Sequence, residues 1–144
     1  MRHKTIYLAG GFYSGWQDLV QALVPGQTWL DPRTHGLHDE GDYTKWDCEA
    51  IEASDIVFAY LEAGNPGGYN LGFEIGYAVA LGKQVIFVEE NTTTRPKRSR
   101  YTGMLRAGSN WDVDSLRDGI ITLHSWLRIT DKDRRKSPEW SIEF

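Results

Sequence analysis

Apolar positions recur along the chain in two alternating rhythms. Thr5-Ile6-Tyr7-Leu8-Ala9 is a short apolar run stopped by Gly10-Gly11, which predicts a buried strand. From about Ser14 the spacing becomes helical, with Trp16, Leu19, Val20 and Leu23 on one stripe, until Pro25-Gly26 ends it. Thr28-Trp29-Leu30 predicts a short strand closed by Asp31-Pro32, and residues 33–42 have no period and predict a loop. Tyr43 to Ser54 is helical again, and Asp55 to Leu61 reads as a central strand. The glycine-rich stretch Gly64 to Gly68 leads into a helix from about Asn70 to Leu81. Gly82 stops that helix before a strand at Gln84–Val88. The polar stretch 90–99 predicts a loop, followed by a short segment around Met104 and a strand near Trp111. Asp114 or Ser115 then caps a last helix to about Leu127.

Strands alternating with helices through short connections predict one α/β domain over residues 1–144, with a parallel, doubly wound sheet of about five strands. Residues from about 128 onward read as a less regular tail. In such sheets ligands bind beyond the carboxyl ends of the strands. The loops Gly10 to Gly15 and Gly64 to Asn70 are therefore the first candidate sites.

Two acids break the apolar pattern. In the 43–54 helix, Tyr43, Trp46, Ala50 and Ile51 form the apolar stripe, and Asp47 completes it at i+4. A carboxylate there must be paired, hydrogen-bonded or facing a cavity. It either caps a nearby loop or lines a pocket. Glu74 is the one charge in the following helix, in or just after its first turn, where the helix end favours a carboxylate. It is either a simple favourable charge or a poised nucleophile. In the same helix Gly72, Gly76 and Ala80 recur every four residues, a spacing that lets it press closely on the sheet.

Composition narrows the classes. The chain has 144 residues, a net charge of -4 and no run long enough for a membrane span, which disfavours a general nucleic-acid binder and a membrane protein. The lone Cys48 excludes an internal disulfide and fits a reducing cytoplasm. Charge is uneven: five Lys/Arg against thirteen Asp/Glu up to residue 90, and eleven against seven beyond it. The basic excess lies at Arg95, Lys97, Arg98, Arg100 and Arg106, and again from Arg128 to Lys136. It reads as solvated surface, or as a phosphate contact or subunit seam. Six Trp and seven Tyr point to a ligand pocket or a self-association surface.

Other motifs are weak. Gly10, Gly11 and Gly15 miss the dinucleotide glycine spacing, although Asp31 stands where a ribose-binding acid would. His35 and His38, with Asp39 and Glu40 nearby, allow a metal, but solvated loop histidines are the simpler reading.

Taken together, Ile6-Tyr7-Leu8-Ala9-Gly10-Gly11-Phe12, Asp47 eight residues before Asp55, Gly72-Phe73-Glu74-Ile75-Gly76-Tyr77-Ala78 and Gly82-Lys83-Gln84-Val85 resemble the nucleoside 2-deoxyribosyltransferase superfamily. That superfamily includes 2'-deoxynucleoside 5'-monophosphate N-glycosidases, and the resemblance spans about residues 4–90. It implies a flavodoxin-like fold and a double displacement at the anomeric carbon of deoxyribose, with no cofactor. Glu74 matches the nucleophile, Tyr7 the tyrosine that orients it, and Asp47 the aspartate that contacts and protonates the base. Transferases of the family often carry an aspartate six residues before the nucleophile; here that residue is Gly68, and Asn65 or Asn70 stands in as a sugar or base contact. Gly10, Gly11, Phe12, Ser14 and Trp16 are the implied substrate-binding residues of the first loop. Thr102-Gly103-Met104 is the segment expected to complete a neighbour's site in a homodimer or higher homo-oligomer.

The implied partners are a nucleoside or nucleotide and a free nucleobase. Three functions follow in order: transfer of 2-deoxyribose between bases, hydrolysis of the N-glycosidic bond of a nucleoside, its monophosphate or NAD, and a non-catalytic nucleotide-binding module.

Overall fold

The computed structural model describes residues 2–65 and 67–129. Five strands, β1 (Thr5–Gly10), β2 (Thr28–Leu30), β3 (Ile56–Leu61), β4 (Gln84–Glu89) and β5 (Trp111–Val113), form one sheet in the order β2-β1-β3-β4-β5. Every pairing is parallel; Tyr7 sits opposite Leu30 on one side and Val57 on the other. This is the flavodoxin-like order, and its switch point falls between β1 and β3.

Because side chains alternate across a strand, β1 feeds two separate cores. Ile6 and Leu8 face α1 (Trp16–Leu23) and α7 (Leu116–Arg128), packing with Val20, Phe58, Leu123 and Leu127. Tyr7 and Ala9 face α2 (Glu40–Ala53) and α3 (Tyr69–Ala80), packing with Ile51, Val57, Leu71 and Ile75. The second layer holds both acids that broke the apolar pattern.

Several elements differ from the sequence reading. α1 begins at Trp16 behind a left-handed Gly15, and it buries Trp16, Gln17 and Val20 while Leu19 and Leu23 stay exposed. α2 begins at Glu40 rather than Tyr43, because the Asp39 side chain accepts the Asp42 N–H at 3.1 Å and Glu40 and Asp42 suit the positive helix end. The stretch taken for a loop at 90–99 holds two short helices, α4 (Asn91–Thr94) and α5 (Pro96–Ser99). A 3₁₀ turn (Arg100–Thr102) and α6 (Gly103–Gly108) follow. Ser115, not Asp114, caps α7.

The small residues of α3 do not press on the sheet. Leu71, Ile75 and Ala78 do, while Gly72 meets Leu105 of α6 and Gly76 points to open space. The close approach occurs instead at Gly119 of α7, where an added Cβ would collide with Val88 and crowd Phe58. No helix among the described residues is long and apolar enough to cross a membrane. The basic cluster beyond Ile129, with Trp140 and Phe144, lies outside the described residues.

Candidate active site

β1 and β3 end side by side at Gly10 and Tyr60, and the chain leaves them in opposite directions, opening a crevice over the α2–α3 layer. Gly10 stands at a φ of 150°, and a Cβ there would meet the Tyr60 carbonyl oxygen at 2.5 Å and Trp16 at 2.9 Å, so the floor of the crevice admits only glycine.

Tyr7 is fully buried one turn of the pleat below that floor, and its hydroxyl donates to Glu74 Oε2. Glu74 is half-buried on α3, beside the Leu71 and Ala78 stripe that packs on the sheet. Asp47 comes from α2 on the opposite wall, half-buried, exactly one helical turn from the buried Ala50–Ile51 pair. Trp46 packs beside it against the same layer.

Electrostatics link the three groups. Burial pushes the Glu74 carboxyl up to about 7, the negative charge of Asp47 adds to this, and the Tyr7 hydrogen bond works against it. The helix-end stabilisation expected for Glu74 is overridden, since Glu74 lies past the first turn where the dipole effect has faded. Asp47 is also raised by burial, with His35 and the Tyr7 hydroxyl opposing. Burial raises the Tyr7 hydroxyl further still, reinforced by both acids, so it stays a proton donor.

Three lobes open around this group and share Glu74 and Asn70 as walls. The first, about 290 Å³, lies over the glycine loops between Gly10, Gly11, Tyr13, Asn65 and Gly68. The second, about 340 Å³, runs under Phe12, Pro32, His35, His38 and Tyr43 to Asp47. The third, about 420 Å³, follows the α2–α3 groove past Cys48 and Phe73. A flat base fits an apolar slot such as the second or third, beside Asp47, while the backbone-lined first lobe suits a polar group.

Most of the residues singled out from the sequence converge here: Tyr7, Gly10, Gly11, Phe12, Asp47, Asn65, Gly68, Asn70 and Glu74 all line these lobes. Three do not. Trp16 is buried in the other core layer, stacked on Phe58 and edge-on to Tyr60, and reaches the site only by donating its indole N–H to the Gly11 carbonyl at 2.9 Å. Ser14 is exposed on the first loop and Met104 is 89% exposed on α6; neither lines a lobe. Gly68, at the family's aspartate position, has a φ of 104° that disfavours any side chain. Asp31, weighed as a ribose acid, is instead engaged by Arg33 at 2.7 Å and by Gln21 at 3.0 Å.

The sequence reading passed over His35 as a site residue. Arg33 also reaches Asp18 of α1 at 2.7 Å, which anchors the 3₁₀ turn Pro32–Thr34 to that helix. His35 closes the turn and lines the second lobe with Asp47. The sequence had offered it only as a metal ligand with His38 or, more simply, as a solvated loop histidine, whereas its side chain is only 10% exposed. Among the described residues no three metal-ligating side chains converge.

Residues 3–92 match the family model described as nucleoside 2-deoxyribosyltransferase like. Among curated proteins, none matches the chain in sequence. A 2-desoxiribosyltransferase from Leishmania mexicana has a similar structure, with a TM-score of 0.66 and 25% identity over 85% of this chain and 97% of that one. A conserved protein from Enterococcus faecalis V583 superposes with a TM-score of 0.66 at 18% identity, covering 89% of this chain and all (100%) of the other. A CMP N-glycosidase from Clostridium botulinum does so with a TM-score of 0.57 at 21% identity, over 86% of this chain and 100% of its own. At these lower identities the last two speak for the fold alone. With the family match running over more than half of its length, and the tyrosine and two acids of the resemblance gathered in one crevice, the chain belongs to the nucleoside 2-deoxyribosyltransferase-like family.

Proposed function

We propose that this protein transfers 2-deoxyribose between nucleobases through a glycosyl ester on Glu74. The observation that carries the reading is the buried Tyr7 hydroxyl bound to Glu74 with Asp47 on the facing wall. A Glu74 oxygen attacks C1' as the C1'–N bond breaks, and the bond's electron pair goes to the base nitrogen. That nitrogen takes its proton from Asp47, whose carboxyl burial raises above the ordinary aspartate range. A second base then attacks C1' from the vacated slot, returns a proton to Asp47 and frees Glu74. The oxocarbenium-like transition state needs the Glu74 negative charge, and Tyr7 fixes the oxygen that carries it.

Hydrolysis of a nucleoside 5'-monophosphate is the second reading, favoured by two guanidinium groups beside the first lobe. Arg98 donates to the Asn65 carbonyl at 3.3 Å, and Arg95 lies next to Gly64. Both come from the 90–99 stretch that folds back over the Gly64–Gly68 loop. They bring positive charge to the Gly64–Asn65 edge of the first lobe, which suits a phosphate group.

One pair of incubations separates the readings. Deoxyinosine with adenine should give deoxyadenosine faster than free deoxyribose, as followed by chromatography. Base release from deoxyinosine monophosphate in water, with no exchange in the first mixture, would replace transfer by hydrolysis.

A further inference from the structure

We propose that His35 is the positioning residue of Asp47, its Nε2–H holding the carboxyl group in the orientation that hands a proton to the departing base. The inference rests on the glycosyl-transfer reading and concerns how its acid is set.

The local geometry fixes the ring. Nδ1 of His35 accepts the Leu37 backbone N–H at 2.9 Å, which leaves the ring hydrogen on Nε2. The edge of the imidazole packs on Trp46 with ring centres 4.9 Å apart and planes at 63°, and the side chain is only 10% exposed. Trp46 immediately precedes Asp47, so one turn of α2 both seats the ring and presents the acid. Nε2 then lies 3.6 Å from Asp47 Oδ1. That oxygen is buried and has no hydrogen-bond partner.

A separation of 3.6 Å is too long for a hydrogen bond, and a buried orphan acceptor is costly. The unmet donor and the unmet acceptor face one another across a gap that a small rotation closes. Catalytic hydrogen bonds are often long without substrate and tighten when it binds. Besides His35, the groups facing this carboxyl are Tyr7 from β1 and Glu74 from α3, with Cys48 beside it on its own helix. Among these, His35 is the one whose N–H faces Oδ1 across that gap. Once Oδ1 is engaged, Oδ2 is left to carry the proton toward the base. When the C1'–N bond breaks, that proton moves from Asp47 to the base nitrogen, and the Nε2–H stabilises the carboxylate left behind. His35 keeps its own proton throughout, and the incoming base restores the one on Asp47.

Two substitutions separate positioning from simple structure. His35→Gln places an amide N–H where Nε2 stood; His35→Asn can accept the Leu37 N–H but cannot reach Asp47. With deoxyinosine, kcat should fall about 30–100-fold in His35→Asn and no more than about threefold in His35→Gln. With a deoxyriboside of 4-nitrophenol, whose leaving group needs no proton, both should stay within about threefold. In an Asp47→Ala background His35→Asn should cost nothing more. Equal loss with both leaving groups, no rescue by Gln, or a loss that persists without Asp47 would overturn the proposal. Nitrogen-15 spectra of the wild-type ring read the pair without turnover: an Nε2–H tautomer whose resonance moves in Asp47→Ala is expected, and an Nδ1–H tautomer overturns the proposal. A wild type that cleaves neither substrate would sink the glycosyl-transfer reading, and the spectra would then decide the His35–Asp47 pair alone.

Discussion

At the scale of the residue, the decisive competition is between burial and the Tyr7 hydrogen bond at Glu74. Burial wins and holds the carboxyl near 7 in the absence of substrate, so below neutrality most of the protein carries an acid where a nucleophile is required. The acid limb of kcat/KM should therefore fall as pH drops through about 7, and a profile flat down to pH 5 would contradict the assignment. Glu74→Gln should keep the Tyr7 contact yet lose at least about a thousandfold in turnover, measured by base release. The same substitution has an opposite effect on stability. Because the folded value lies above the unfolded 4.5, the wild type loses stability as pH rises from about 4.5 through 7, by an amount on the order of 3 kcal/mol at full ionisation. Glu74→Gln removes that penalty, so its melting temperature should exceed the wild type's more at pH 8 than at pH 4. Asp47 was legible in the sequence because the apolar stripe of its helix says which way a side chain faces, Glu74 because it is the one charge in an otherwise apolar helix, and Tyr7 only through the family resemblance. His35 was not, since a turn has no period and its orientation depends on Arg33 gripping Asp31 and Asp18.

At the scale of the element, the two acids come from helices whose existence the apolar spacing revealed and whose contacts it partly misjudged. The repeat of Gly72, Gly76 and Ala80 looked like a face for close packing, but the larger Leu71, Ile75 and Ala78 fill the sheet's groove. Pattern alone cannot say which of two adjacent faces a nearly all-apolar helix will bury. The structure predicts a contrast between two glycines. Gly119→Ala drives a methyl into Val88 and Phe58 and should destabilise by roughly 1–3 kcal/mol. Gly76→Ala adds a methyl to open space and should stabilise by about 0.5–1 kcal/mol through helix propensity. Chemical denaturation of the two variants would test the pair; equal shifts would mean that α7 does not approach the sheet as described. The same limit of pattern reading applies to Trp16, which stands beside a glycine loop in sequence but turns into the opposite layer.

At the scale of the whole molecule, the sheet order and its switch point follow from the alternation of strands and helices, and the crevice falls where that order places it. Less visible in sequence was the path of the basic stretch, which returns through α4 and α5 to the glycine loop that forms the first lobe. The outer surface carries Tyr69 and Phe73 on α3 and the nearby Tyr101 and Met104, all exposed. We expect this surface to be covered in a dimer or larger closed assembly that brings a second copy's Met104 segment to the site. Met104→Asp should then shift the protein toward monomer in sedimentation and lower turnover together; a fully active monomer at micromolar concentration would refute the shared site.

The bond from Trp16 to the Gly11 carbonyl has a consequence for motion. It stitches the loop that lines the first two lobes through Gly11 and Phe12 to the layer of α1 and α7, whereas Tyr7, Asp47 and Glu74 belong to the layer behind the sheet. The loop and the three proposed catalytic groups therefore rest on different core layers, which can loosen separately. Warming that frays α1 should loosen this loop while leaving the acids in register, so activity would fade below the melting temperature, in step with faster amide exchange at Gly11 to Gly15.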